Sequence, residues 1–210
     1  MNKAKSEGTI PDKKESSKCE ELIQELLASS FFTGSCNFSK DQRMSHEDRN
    51  VLIRSMMLLD LTNVPDYEPP DFSEKSISEY WENIRETYSD KQSNIMKSAI
   101  QYLTDAFPKK NEQLRKNFIP MLVYVADIAE DKEIRPTSFR QWFAYFMQED
   151  PRLEAYKRFC SSNETKPENV EGMLAVMTES FCIYHKIKIP GELRIMVEKV
   201  EEKLSTRETG

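Results

Sequence analysis

A chain of 210 residues with five glycines, ten prolines and a formal charge of −6 is long enough to bury its own core without disulfides or metal. It reads as one domain. Only Gly34, Gly172 and Gly191 lie away from the tails. That scarcity argues against phosphate-cradling loops, nucleophile elbows and dinucleotide fingerprints, all of which need glycine for tight turns and close backbone approach. The modest, mixed charge argues against strong non-specific binding to nucleic acid or anionic membrane.

Residues 1–16 are polar, with no apolar periodicity and no signal-like h-region, and are expected to form a disordered tail. The longest mostly apolar run, Phe118 to Ala129, is too short to span a bilayer. Cys19, Cys36, Cys160 and Cys182 are scattered and form no C-x-x-C pair. This fits a reduced intracellular compartment, cytoplasmic with the nucleus as alternative.

Ser17-Lys18-Cys19-Glu20 has capping-box spacing and opens a helix with Leu22, Ile23, Leu26 and Leu27 on one stripe. Ser29 to Arg43 is expected to be irregular, turning at Gly34 and anchored by Phe31, Phe32 and Phe38. Ser45-His46-Glu47-Asp48 is a second helix-start signal, followed by Val51, Leu52, Met56 and Leu59. Thr62 to Asp71, with three prolines and three acids, breaks the pattern. Ile77, Tyr80, Trp81, Ile84 and Tyr88 then form one helical stripe. A further stripe runs from Ile95 to Phe107, either as a new helix capped near Asp90 or as a bent continuation.

Asn111 to Asn117 is expected to be a short charged helix. Met121 to Ala129 is apolar nearly all round and is predicted to be the most buried helix. Arg135-Pro136-Thr137-Ser138 starts the next, with Phe139, Trp142, Phe143 and Phe146 facing inward. Asp150-Pro151 is an N-cap followed by proline, and Leu153, Tyr156 and Phe159 follow. Val170, Met173, Leu174, Met177, Phe181 and Tyr184 line another helix. Lys186 to Pro190 reads as extended, and Gly191 to Leu204 as the last helix. The chain therefore divides into a tail (1–16), one all-helical domain (17–204) and a frayed end (205–210).

The fold expected is all-α, with about eight or nine helices, arranged as a paired-helix (HEAT-like) array or an irregular bundle. Pro65, Pro108, Pro151 and Pro190 recur every ~40 residues, the size of a paired-helix repeat. The rhythm Arg115-x-x-Phe118-Ile119-x-x-Leu122-Val123-x-Val125-Ala126-Asp127-Ile128, then Phe139-x-x-Trp142-Phe143-x-x-Phe146, then Gly172 to Met177, resembles the middle domain of translation-initiation scaffold proteins. The likeness covers about half the chain. It departs from that family where glycines often stand, at Ala126 and at Ser180 or Phe181. The resemblance implies an adaptor tied to messenger RNA that binds proteins or RNA on helical faces.

No carboxylate, histidine or lysine grouping suggests acid–base catalysis, so no catalytic residue, metal ligand or cofactor is assigned. Cys182-x-x-His185 shares a helical face but lacks further ligands and reads as a buried thiol and a boundary histidine. Three features are candidates for binding. Tyr67, in the acid-rich segment Asp66 to Asp71, sits in a docking-type loop. Tyr145 and Met147 fall off or at the edge of the inward stripe of their helix, where they could line a partner groove. Lys109, Lys110, Arg115 and Lys116 form the densest basic cluster, diluted by Glu112, and are the candidate RNA contacts. Together these predict a non-catalytic adaptor that binds other proteins through helix faces or a groove. An RNA-associated scaffold, a helical enzyme with a site between helices and a self-assembling structural protein are the alternatives.

Overall fold

A computed structural model describes the chain over residues 17–61, 69–161 and 164–208. Among these residues there are ten α-helices and no strand. In chain order they are α1 (Lys18–Leu27), α2 (Lys40–Met44), α3 (Glu47–Asp60), α4 (Glu74–Ile84), α5 (Asp90–Ala106), α6 (Ile119–Asp131), α7 (Pro136–Gln148), α8 (Arg152–Ser161), α9 (Pro167–His185) and α10 (Gly191–Glu208). The last helix thus continues to Glu208, beyond the expected end at Leu204.

Serine caps and prolines set most helix starts. Ser17, Ser39, Ser73 and Ser89 each accept a backbone N–H at the head of α1, α2, α4 and α5. Ser39 and Ser89 do so in full capping boxes with Gln42 and Gln92. The box at Ser89 separates α4 from α5, so the two stripes belong to two helices. Pro120, Pro136 and Pro167 occupy the first turns of α6, α7 and α9, where a missing N–H costs nothing.

Three expectations are corrected. Ser29 to Arg43 is not irregular: Phe31–Ser35 forms a π-helical turn and Lys40–Met44 a short helix. Ser45 ends α2 rather than capping α3; His46, at φ 59°, stands before α3 with no side-chain cap. Asn111 to Asn117 is not a helix. Its carbonyls are engaged from outside: Glu112 O accepts from Asn37 Nδ2 at 3.1 Å, Leu114 O from Asn37 N at 2.9 Å, and Asn117 O from Tyr156 Oη at 2.7 Å. Leu114 is fully buried beneath them. Tertiary hydrogen bonds therefore replace the i→i−4 ladder that local propensity favoured.

The core is organised around α3, α6 and α9, which pack consecutively, α3 on α6 and α6 on α9. α6 is buried nearly all round. So is α9, where every residue from Asn169 to Thr178 is buried. α5 covers one side of α6, while α8 and α10 cover α9. α7 feeds Phe139, Trp142, Phe143 and Phe146 into an aromatic cluster completed by Phe107, Phe118, Tyr156 and Phe181. Trp142 meets Phe181 edge-on at 4.9 Å, a geometry that aromatic quadrupoles favour.

Candidate functional site: a basic groove

The immobilised connection between α5 and α6 forms one wall of a groove of about 920 Å³. The segment leading into α2 supplies Asn37, Phe38 and Ser39, and α2 itself supplies Gln42. The connection supplies Lys110, Gln113, Arg115, Lys116, Asn117 and Phe118. The C-terminal turn of α7 adds Met147, and α8 adds Lys157, Cys160 and Ser161. Four cations thus line the groove, and no described carboxylate does.

The cations are not equivalent. Lys157 Nζ lies 2.6 Å from Glu154 on its own helix. Lys116 Nζ is shared by Glu47 at 3.4 Å and Glu164 at 3.7 Å. Lys110 and Arg115 are exposed and have no ion-pair partner among the described residues. Arg115 Nε donates to Glu112 O at 3.3 Å, which leaves its two terminal nitrogens available.

The floor is aromatic but closed. Phe38 is 8% exposed and Phe118 9%. Phe38 stacks on Phe32 and carries the Arg43 guanidinium 5.4 Å from its centroid. Phe118 lies nearly parallel to Tyr156 at 4.9 Å. Burial, and then the Glu164 charge, push the Cys160 thiol up to about 12, so it is a neutral wall group rather than a nucleophile at neutral pH.

This arrangement joins residues that the sequence assigned to different partners. Lys110, Arg115 and Lys116 share the groove with Met147. Lys109 is exposed but does not line it. Tyr145 is half-buried and packs on Tyr184 with ring centroids 5.4 Å apart, away from the groove lining. Tyr67 lies outside the described residues. Lys157, Gln113 and the amides of Asn37, Gln42 and Asn117 were missed. They come from segments far apart in the chain and carry no shared motif; only Lys157 with Cys160 and Ser161, at helical i+3 and i+4 spacing, offered a local signal.

Cys182 and His185 do not form a pair. The Cys182 thiol sits 4.0 Å from Lys188 O and is pushed up to about 11, by burial and then by Glu179. The His185 ring packs against Phe181 at 4.7 Å and Tyr184 at 5.0 Å, and burial lowers its pKa. Among the described residues no group of three or more His, Cys, Asp or Glu could hold a metal ion. No described helix is long and apolar enough to cross a membrane.

Comparisons with protein-family models, with curated proteins and with solved structures give no match.

Proposed function

We propose that the protein is a non-catalytic helical adaptor whose basic groove docks an anionic segment of another protein. The carrying observation is the lining itself: four cations and several side-chain amides, with no described carboxylate, on a floor whose rings are already packed. Amides and cations suit a peptide backbone with acidic side groups. Single-stranded nucleic acid bound without sequence preference relies on open aromatic faces for its bases, and the two rings here are occupied. The overall charge of −6 also opposes a long polyanion outside the groove. The link to messenger-RNA translation or processing rests on the resemblance of residues 115–177, and a cytoplasmic or nuclear setting on that resemblance together with the four free cysteines.

The test is site-specific photocrosslinking in cells, with a benzophenone residue replacing Gln113 in the groove or Glu82 on α4 outside it. Protein adducts specific to position 113 that survive ribonuclease are expected. Identical adducts at both positions, or adducts lost with RNA, would overturn the reading.

A further inference from the structure

We infer that the docked segment carries a phosphate monoester, on a serine, threonine or tyrosine side chain, held by Arg115 and Lys110. The inference rests on the groove being a docking site for a protein segment, and it names what that segment must bring.

The argument is charge matching. Of the four groove cations, Lys157 is neutralised by Glu154 and Lys116 by Glu47 and Glu164. Among the described residues two charges are left over, on Lys110 and Arg115. A carboxylate offers one negative charge, whereas a phosphate monoester carries about −1.5 to −2 at neutral pH and three acceptor oxygens. One phosphate therefore balances both cations, where a single acidic side chain leaves one uncompensated.

Geometry points the same way. The Nε bond to Glu112 O leaves the terminal N–H groups of Arg115 for a two-pronged contact, the arrangement in which arginine outperforms lysine on phosphate. The α5–α6 connection that carries both cations is pinned by Asn37 and Tyr156, so little ordering is needed on binding. Lys116 stays with its own carboxylates, Glu47 at 3.4 Å and Glu164 at 3.7 Å, and is not needed to balance the anion.

The probes are three fluorescein-labelled nonapeptide pools, degenerate except for a central phosphoserine, serine or glutamate, titrated against the full chain by fluorescence anisotropy. The phosphoserine pool is expected to bind at least about tenfold more tightly than either other pool. Arg115→Gln and Lys110→Gln should each remove most of that preference, Arg115→Lys should retain part of it, and Lys157→Gln should leave it largely intact. A thermal melt of each variant checks folding, and the comparison of pools on the unaltered chain does not depend on it. Equal binding of the glutamate or serine pool overturns the phosphate assignment. Failure of all pools, with ribonuclease-resistant adducts at position 113, also overturns the phosphate assignment but leaves the docking groove standing. Failure of both measurements removes the groove reading as well.

Discussion

A Cβ added at Gly172 would lie 2.5 Å from Phe159 Cε1: the ring on α8 rests directly on the backbone of α9. Glycine inside a helix ordinarily costs about 1 kcal/mol relative to alanine, and this close approach is what it permits. In Gly172→Ala either the ring leaves or the helices part, losing about 1–3 kcal/mol of packing against the gain in helix propensity. A net destabilisation on the order of 1 kcal/mol is expected in urea unfolding, with partial recovery when Phe159→Leu is added. A more stable single variant would show that the two helices are not in this contact.

Ser180 links two buried groups. Trp142 Nε1 donates to Ser180 Oγ at 3.0 Å, and Ser180 Oγ donates to Asp150 Oδ2 at 2.5 Å. Ser180→Ala strands an indole N–H and leaves the Asp150 carboxylate with its bonds to the Arg152 backbone and guanidinium. Leaving buried polar groups unsatisfied costs about 1–3 kcal/mol each, so a loss near the middle of that range is expected, with the helical circular dichroism unchanged. Trp142→Phe, which keeps the Ser180–Asp150 bond, should alter the network less. Equal stability of Ser180→Ala and the unaltered chain would contradict this.

Periodicity made much of this fold readable in advance. α6 is apolar on every side and is buried on nearly every side. The inward stripe of α7 was visible as Phe139, Trp142, Phe143 and Phe146, all of them buried. α9 looked like a one-faced helix because Glu171, Gly172, Thr178 and Ser180 interrupt its apolar run; each is nonetheless buried, Glu171 against Lys199 and Lys203, Gly172 under the Phe159 ring and Ser180 between Trp142 and Asp150. The charged stretch 111–117 has helix-forming residues but spends its carbonyls on Asn37 and Tyr156, contacts that local sequence does not report. The groove was legible only in fragments. Periodicity tells which face of a helix is buried, not which surfaces meet, and so Met147 and the basic cluster read as unrelated features.

Glycine scarcity leaves its mark at helix ends. Lys186 caps α9 in the left-handed region at φ 56°, ψ 37°, so it is not the start of the extended stretch expected there. A side chain there costs about 1–2 kcal/mol, partly offset by the greater freedom glycine would have when unfolded. Lys186→Gly should therefore stabilise the chain by roughly 0.5–1 kcal/mol. Lys186→Ala, still bearing a Cβ, should change it little. Thermal denaturation of the pair decides this, and a gain in the alanine variant alone would refute it.

Burial of His185 against Phe181 and Tyr184 holds its folded pKa below the ordinary value. Below about pH 6.5 the unfolded chain takes up a proton that the folded chain resists. Stability contributed by this site is thus complete above that pH and declines as pH falls from there toward the lower folded pKa. Urea midpoints at pH 7.5 and 5.5 should show a drop in the parent that is smaller in His185→Phe. The same drop in both would assign it to carboxylates elsewhere.

α10 is held to α9 in two ways that contribute unequally. Leu193, Met196, Val197 and Val200 are buried against the core. Beside them the buried Glu171 carboxylate meets Lys199 at 3.4 Å and Lys203 at 3.5 Å. Both lysines are at least half exposed, so their pairing is screened and worth little. Glu171→Gln should cost less than about 1 kcal/mol. The double variant Lys199→Ala with Lys203→Ala should cost more, because it leaves a buried charge without its cations. Leu193→Ala should cost most, about 2–5 kcal/mol by lost burial and cavity formation. Hydrogen exchange of the α10 amides orders the three. If Glu171→Gln frees α10 as fully as Leu193→Ala does, the ion pairs rather than the apolar seam dock the helix.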